Sequence, residues 1–330
     1  MNLLISLLTI LTLMVSTSYP TLAAAEPDAQ VTAAATATAT SQGVTRTMVP
    51  LLKDRPPLVF WSSDKAPKAV LLCLHELGMY SGIFDDLGNR MAREQNYAVY
   101  ALDERGFGGW KKFDKSERHM DIDKILSDTK DALEALHAKY PALPVFLLGE
   151  AMGGTLALKI ASTYPKLVQG TISAAPAGDH YKTTSNYFKV CGHLLTKGPN
   201  KRFDMGKSLI SLATPRASVR EAFEKDPEVR LDLTPGELMA CQFFMYKSKD
   251  IARKITTAPV LIVQGQQDGE SIPSGAKKVF DKLATSDKQM LALNDADHYV
   301  YEDPHVNDVA FNSTVSWIES HVNPPAATTK

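Results

Sequence analysis

Residues 145–155 read VFLLGEAMGGT and decide the fold of this chain. A short apolar run leads into a turn that contains Gly149, Gly153 and Gly154, and a helical pattern of apolar residues follows. Glycine has no Cβ atom, so these positions let a strand and a helix approach closely at a sharp bend. The stretch therefore predicts a buried strand, a tight turn with Ala151 at its centre, and a helix.

Strands alternate with helices on both sides of this stretch. Apolar runs predict further strands at 68–75, 97–102, 168–174, 259–264 and 289–293, and helical spacing predicts a helix at 121–140. Near-continuous apolar runs are typical of parallel strands that are buried on both faces. The alternation predicts an α/β fold with a doubly wound, mostly parallel sheet, whose functional sites lie beyond the carboxyl ends of the strands.

Composition divides the chain into segments. They are a signal peptide at 1–25, an Ala/Thr-rich linker at 26–47, a core at 48–178, a helical cap at 179–250, a second part of the core at 251–322 and a loose tail at 323–330. The cap is rich in large apolar side chains, and an insertion at this place overhangs the carboxyl ends of the strands. We expect a mobile cap in which most of these side chains form its own core and a minority line an apolar pocket.

The N-terminal segment predicts export. Residues 1–15 are mostly apolar, and Ala23, Ala24 and Ala25 precede Glu26. A short apolar region followed by an Ala-x-Ala site is typical of a secretory signal peptide and is short for a membrane span. We expect an extracytoplasmic protein, secreted or periplasmic, that is cleaved near Ala25; the alternative is a membrane anchor formed by residues 3–15.

Charge and cysteine content exclude several classes of protein. Lys and Arg number 36 against 37 for Asp and Glu, so no basic surface for nucleic acid is predicted. The three cysteines, Cys73, Cys191 and Cys241, are too few for a disulfide framework and lack metal-ligand spacing. Cys73 is expected to be a core thiol, whereas pairing of Cys191 with Cys241 stays open. No metal site is predicted.

Two residues with acid–base chemistry follow the later strands. Asp268 comes just after the strand at 259–264, and His298 just after the strand at 289–293. A single Asp or His at such a place is more often a turn residue or a helix cap. Both residues, placed at the correct strands after this glycine turn, are specific in combination and match the chain order of Ser, Asp and His in hydrolase triads.

Together these motifs resemble the monoacylglycerol lipase and serine aminopeptidase S33-like branch of the α/β-hydrolases, which includes lysophospholipase-like proteins. The resemblance covers about residues 50–322. It is carried by His75-x-Leu77-Gly78, Asp103-x-Arg105-Gly106-x-Gly108, Gly149-Glu150-Ala151-Met152-Gly153-Gly154, Gly265-x-x-Asp268 and Asp297-His298. It implies a cofactor-free esterase or lipase for monoacylglycerols, lysophospholipids or related small esters.

The resemblance also implies roles for single residues. His298 would be the base, and Asp268 would orient it. The backbone N–H groups of Leu77 and Met152 would form the oxyanion hole. The elbow around position 151 would be formed by Gly149, Glu150, Gly153 and Gly154.

The chain departs from this family at two positions. Ala151 stands where the family has its nucleophilic serine, and a methyl group cannot attack a carbonyl carbon. Loss of that serine costs about a million-fold in kcat. Glu76 stands where the family has glycine in the oxyanion loop. Its carboxylate either faces the site and opposes a developing oxyanion, or it points to solvent or pairs with a cation such as Arg105, and these orientations stay open.

We interpret the chain as an inactive or strongly impaired hydrolase that keeps a pocket for an acyl or small hydrophobic ester ligand. Peripheral contact of the cap with lipid is a further expectation, and the sequence names no protein partner. One alternative is a genuine ester hydrolase whose serine was substituted in this sequence. Others are a cofactor-free lyase or oxygenase that uses His298 and Asp268, and an adhesion or interaction module. Two departures at one site favour the first interpretation.

Overall fold

A computed structural model describes residues 39–322 apart from 42, 114–117, 177–178, 180–183 and 205. The predicted signal peptide at 1–25 and tail at 323–330 lie outside the described residues. The strands are β1 (Ala39–Ser41), β2 (Val44–Val49), β3 (Leu58–Ser63), β4 (Ala69–Leu74), β5 (Tyr97–Leu102), β6 (Val145–Glu150), β7 (Gly170–Ala174), β8 (Phe203–Asp204), β9 (Asp232–Leu233), β10 (Val260–Gly265) and β11 (Lys288–Leu293).

Within the described residues, nine of these strands form one sheet in the order β1-β2-β3-β5-β4-β6-β7-β10-β11. Strands β5, β4, β6, β7, β10 and β11 are parallel to their neighbours in that list. Strands β1, β2 and β3 extend the sheet with antiparallel pairs. The predicted α/β class with a doubly wound, mostly parallel sheet is confirmed.

Helices cover both faces of the sheet. Their bounds are Asp85–Gln95, Trp110–Phe113, Ile122–Lys139, Met152–Thr163, Thr184–Lys197, Gly206–Ala213, Ala217–Lys225, Pro235–Tyr246, Ser248–Ala252, Pro273–Lys282 and Asp308–Val322, with 3₁₀ turns at Ser81–Phe84 and Pro165–Leu167. Helices Asp85–Gln95 and Asp308–Val322 contribute to the apolar core on one face. Helices Ile122–Lys139, Met152–Thr163 and Pro273–Lys282 contribute to the core on the other face.

The sequence explains where individual helices begin. Asp121 caps the helix Ile122–Lys139, because its side chain accepts hydrogen bonds from the N–H groups of Asp123 and Lys124. Thr234 and Glu237 form a reciprocal capping box at the start of Pro235–Tyr246. These side chains satisfy N–H groups that have no partner inside their own helix.

The linker predicted at 26–47 is wrong for residues 39–41 and 44–47, which belong to β1 and β2. Strand β2 pairs with β3 along its full length, from Val44 opposite Ser63 to Val49 opposite Leu58. Most side chains of β2 are only half-buried, so its sequence lacks a clear apolar alternation. Its β-branched residues and its backbone hydrogen bonds make it a strand.

The helices of the predicted cap lie between β7 and β10 in the chain. The short pair β8 and β9 lies among them. Cys191 and Cys241 are free thiols, so the pairing that the sequence left open is absent from the structure. Among the described helices, none is long and apolar enough to cross a membrane.

Candidate active site

The glycine turn after β6 has the strained geometry that the sequence predicts. Ala151 has φ 48° and ψ −109°, a conformation that costs a residue with a side chain about 1–3 kcal/mol. A Cβ atom on Gly149 would lie 2.1 Å from the carbonyl oxygen of Gly153, and one on Gly153 would lie 2.2 Å from that of Leu74. The close approach of strand and helix therefore requires glycine here, and the turn presents residue 151 at the carboxyl end of β6.

The structure brings Asp268 and His298 together. His298 Nδ1 lies 2.8 Å from Asp268 Oδ2, and the imidazole is fully buried. Gln264 Nε2 and the Ser271 N–H donate to the two carboxylate oxygens of Asp268 at 2.9 and 2.8 Å. Burial raises the pKa of Asp268, but His298 and these donors outweigh burial and hold that pKa below its usual value. The pair matches the base and orienting acid of a hydrolase triad.

Glu76 faces the site. Its Oε2 atom lies 3.2 Å from His298 Nε2, the nitrogen that would take a proton from a nucleophile. Arg105, the alternative partner, instead donates two hydrogen bonds to Asp128, at 2.5 and 3.0 Å. Of the orientations that the sequence left open, the structure thus has the one in which the carboxylate lies beside His298.

Glu270 was missed by the sequence reasoning. Its Oε2 atom lies 4.0 Å from His298 Nε2, on the loop that also carries Asp268. Burial raises the pKa of Glu270 to about 8; Glu76 and Asp268 contribute to the rise and His298 opposes it. The signal that could have found it is its place two residues after Asp268, inside a loop already assigned to the site.

Carboxylates surround His298 and set its protonation. Burial lowers the pKa of His298, but Asp268, Glu76 and Glu270 outweigh burial and raise this pKa well above its usual value. This shift favours the charged form of the imidazole. A protonated imidazole cannot act as a general base.

Glu150, the elbow residue before Ala151, ties the elbow to the loop of His298. Its carboxylate accepts hydrogen bonds from the N–H groups of Val300, Tyr301 and Glu302 at 2.6, 2.9 and 2.8 Å. Glu302 in turn accepts a hydrogen bond from the Glu76 N–H at 2.6 Å. The sequence reasoning missed Glu302, since nothing in its local pattern distinguishes it from a surface acid. These buried carboxylates fix three loops of the site relative to one another.

His75 orders the predicted oxyanion loop, which comprises residues 75–78. Its Nε2 accepts a hydrogen bond from the Glu104 N–H at 3.0 Å, so its Nδ1 donates to the Glu76 carbonyl oxygen at 2.8 Å. Burial lowers the pKa of His75 and keeps the ring neutral. Leu77 follows on this loop, and Met152 is the first residue of its helix. Both predicted donors lie at the ends of neighbouring strands, β4 and β6, and their role in an oxyanion hole stays a prediction.

The cap is attached to both sides of the site. The Arg230 N–H donates to the Gly78 carbonyl oxygen at 2.7 Å, and the His298 N–H donates to the Ala213 carbonyl oxygen at 3.1 Å. Arg216 forms a bidentate pair with Asp297, both contacts being 2.9 Å.

A cleft between the oxyanion loop and cap residues Leu209 and Ile210 has a volume of about 10 Å³, close to the space that one water molecule needs. A larger ligand could enter this cleft only if the cap moved. The mobility of the cap stays a prediction.

Several solved structures share this fold. The crystal structure of a monoacylglycerol lipase from Paleococcus ferrophilus has a TM-score of 0.66 and 24% identity, over 80% of this chain and 98% of that one. A soluble variant of monoglyceride lipase from Saccharomyces cerevisiae, in complex with a substrate analogue, has a TM-score of 0.68 and 19% identity, over 91% of this chain and 98% of that one. At these identities the likeness shows the fold.

Sequence comparison identifies the family. The monoacylglycerol lipase of Mycolicibacterium smegmatis is 24% identical over 79% of this chain and 92% of that protein. The monoglyceride lipase of Homo sapiens is 24% identical over 78% of this chain and 85% of that protein. The profile of the family described as "Serine aminopeptidase, S33" matches residues 65–305. This protein, with the elbow, the Asp268–His298 pair and the sheet described above, therefore belongs to the serine aminopeptidase S33 family and has the α/β-hydrolase fold.

Proposed function

We propose that this protein binds a monoacylglycerol-like ester or its fatty acyl part and does not hydrolyse it at the rates of a serine hydrolase. The observation that carries the proposal is the methyl group of Ala151 at an otherwise complete elbow. Without a hydroxyl at this place no acyl-enzyme can form. Glu76, 3.2 Å from the base, further opposes an oxyanion mechanism.

The ligand class is proposed from the relatives and from the cap. The similar proteins are named for monoacylglycerol or monoglyceride, which are esters with one acyl chain. The small cleft beside the oxyanion loop is lined largely by apolar side chains of the loop and of the cap, including Leu77, Leu209 and Ile210. Movement of the cap would open this cleft to an acyl chain.

We also propose that the cap contacts lipid and that the protein acts outside the cytoplasm. Leu195, Phe243 and Tyr246 of the cap are exposed at 76%, 54% and 48%, and exposed large apolar side chains favour an apolar partner. Export is supported by the apolar run and the Ala-x-Ala pattern before Glu26. N-terminal sequencing of exported protein should begin near Glu26; a chain that still begins at Met1 and is recovered with membranes would indicate an anchor.

Thermal unfolding with candidate ligands tests the binding proposal. A monoacylglycerol or fatty acid at about 100 times its Kd should stabilise the protein by about 2.7 kcal/mol, whereas glycerol should not. Leu209→Trp, which fills the cleft, should abolish the shift, and Val309→Gln, at an exposed position outside the cap, should retain it. Absence of a shift with every chain length would overturn the proposal.

A matched activity assay tests the absence of hydrolysis. The protein should release no product from a short p-nitrophenyl ester above the rate of a His298→Ala variant. A rate that depends on His298 in the unmodified protein would mean that another nucleophile, such as an activated water, performs the reaction.

A further inference from the structure

The Nε2 edge of His298 faces two carboxylates across an enclosed gap. Nε2 lies 3.2 Å from Glu76 Oε2 and 4.0 Å from Glu270 Oε2, and the three atoms all lie within 4.8 Å of one another. In the part of the chain that the structure describes, none of these three buried atoms has a hydrogen-bond partner. His298 is 0% exposed and Glu76 is 6% exposed.

Unpartnered polar atoms at this depth are unusual. Most buried polar atoms have at least one partner, and an unsatisfied one destabilises a protein. Although His298 Nε2 and Glu76 Oε2 are only 3.2 Å apart, the two atoms are not aligned for a hydrogen bond, so neither has a hydrogen-bond partner. Three such atoms directed at one gap indicate that the gap is built for something that binds all of them.

We propose that Glu76, Glu270 and His298 bind one divalent transition-metal ion, with Zn²⁺ as the best match. This site goes beyond the proposed binding of an acyl ligand and does not depend on it. One imidazole nitrogen and two carboxylate oxygens would bind the ion, and at least one position would remain for water.

The spacing of the three atoms suits such an ion. Bonds of about 2.0–2.2 Å place the ligand atoms of a tetrahedral site about 3.4 Å apart. The 3.2 Å between Nε2 and Glu76 Oε2 is close to this value, and the 4.0 Å between Nε2 and Glu270 Oε2 exceeds it by about 0.6 Å. With the upper limit of 4.8 Å for the set, binding requires each carboxylate side chain to shift by less than about 1 Å.

A second layer of contacts holds the three ligands in place. Asp268 accepts from His298 Nδ1 at 2.8 Å, and it also accepts from the Glu270 N–H at 2.8 Å. A histidine that binds a metal nearly always donates its other ring N–H to such an acceptor. The backbone of Glu76 is fixed from both sides, through its N–H by Glu302 and through its carbonyl oxygen by His75.

Ala151 accounts for the free edge of the imidazole. A hydroxyl at position 151 would be the partner of Nε2 in a hydrolase triad. With a methyl group in its place, Nε2 has no partner there and can bind an ion. Ala151, which replaces the nucleophile, and Glu76, whose carboxylate opposes an oxyanion, would thus both belong to one new site.

The mixed donor set selects the kind of ion. Imidazole nitrogen suits Zn²⁺ and other first-row transition ions, whereas Ca²⁺ and Mg²⁺ prefer oxygen ligands. Neither free thiol of the cap is part of the cluster, so soft ions that prefer sulfur are not expected. We expect Zn²⁺ to bind more tightly than Mn²⁺, and both more tightly than Mg²⁺ or Ca²⁺.

Calorimetric titration of the chelator-treated full chain with ZnCl₂ tests the proposal. One Zn²⁺ ion should bind per chain. Glu76→Gln, Glu270→Gln and His298→Gln should each weaken binding at least about tenfold, and the positioning variant Asp268→Asn about 10–100-fold. Two variants outside the cluster, His321→Ala and Glu228→Gln, are matched controls and should bind as the parent does.

Two outcomes would overturn the proposed site. In the first, the parent does not bind Zn²⁺; in the second, the cluster variants bind Zn²⁺ as tightly as the parent does. Each variant is first checked for a native thermal unfolding transition. X-ray absorption of the Zn²⁺-loaded parent gives a result that needs no variant: it should show N and O ligands, including an imidazole, at about 2.0–2.1 Å. Sulfur ligands, or water ligands alone, would contradict the proposal.

Discussion

The loops after β10 and β11 hold an acid–base pair of the hydrolase kind. By contrast, the loop after β4 holds a carboxylate and the turn after β6 holds a methyl group at the reacting positions. We call the first the acid–base half, with Asp268 and His298, and the second the nucleophile half, with Glu76 and Ala151. In the acid–base half, the 2.8 Å contact and its supporting donors are complete. In the nucleophile half, the backbone is that of a hydrolase but the side chains are not.

The difference shows that scaffold and chemistry are separable in this fold. Ala151 keeps a positive φ of 48°, although alanine has no catalytic use for this strained conformation. The strain persists because the packing of β6 against its helix, through Gly149 and Gly153, requires this turn. A single side chain can therefore be restored or removed without rebuilding the site.

The largest expected effect comes from repairing the nucleophile half. In chelator-treated protein, Ala151→Ser with Glu76→Gly should raise esterase kcat by up to about a million-fold, because serine loss costs that much. Ala151→Ser alone should recover about 10²–10³-fold less, since Glu76 opposes the oxyanion. Rates with a p-nitrophenyl ester check this. Equal rates for the two variants would show that Glu76 does not affect the oxyanion hole.

Adding a methyl group to the elbow tests whether the scaffold needs its glycines. Gly153→Ala should lower the free energy of unfolding by about 3 kcal/mol, because the new Cβ atom would lie 2.2 Å from the Leu74 carbonyl oxygen. Gly192→Ala, in the cap helix Thr184–Lys197, meets nothing within 4 Å and should stabilise by about 0.5–1 kcal/mol. Denaturant unfolding of both variants measures the contrast, and a tolerated Gly153→Ala would contradict the close packing.

The attachment of the cap on the side of the nucleophile half should depend on pH. Glu237 accepts hydrogen bonds from Arg230 at 2.5 Å and from the Met120 N–H at 3.0 Å. Burial raises the pKa of Glu237, but Arg230 and the backbone donors hold it below its usual value. The stabilisation is therefore complete above about pH 4.3 and is lost as the pH falls below that value. Glu237→Gln should cost about 2 kcal/mol at pH 7.

Unfolding of the parent and of Glu237→Gln between pH 3 and pH 7 gives the measurement. The difference between their free energies of unfolding should shrink on acidification, and a constant difference would show that the charge of Glu237 is not responsible.

The smallest effect is expected where the cap is attached on the side of the acid–base half, because Arg216 is 41% exposed there. Arg216→Gln should cost about 1 kcal/mol or less, because solvent screens exposed pairs.

The fold could be predicted from the sequence because buried parallel strands are locally apolar. The predicted strand at 97–102 matches β5, and the predicted helix at 121–140 differs from Ile122–Lys139 by one residue at each end. Strands β1 and β2 could not be predicted, because they are held by backbone pairing of β1 with β2 and of β2 with β3, and such pairing leaves little trace in their own sequence.

The candidate site was predictable only where a residue follows a recognisable strand. Asp268 and His298 were found in this way. The orientation of Glu76 depends on Glu302, which is distant in sequence, and on the adjacent His75, whose ring is held by the distant Glu104 N–H. The closeness of Glu270 to His298 depends on how two loops pack. Such tertiary placement has no local signature.

Labelling with a fluorophosphonate ester tests the central claim most directly: the acid–base half is intact and the nucleophile half lacks only its side-chain chemistry. Intact mass should show no adduct on the unmodified protein. It should show one adduct, at position 151, on the chelator-treated Ala151→Ser variant with Glu76→Gly. The labelling rate should fall about a million-fold when His298→Ala is added. A site adduct on the unmodified protein, or a folded variant that is not labelled, would contradict the claim.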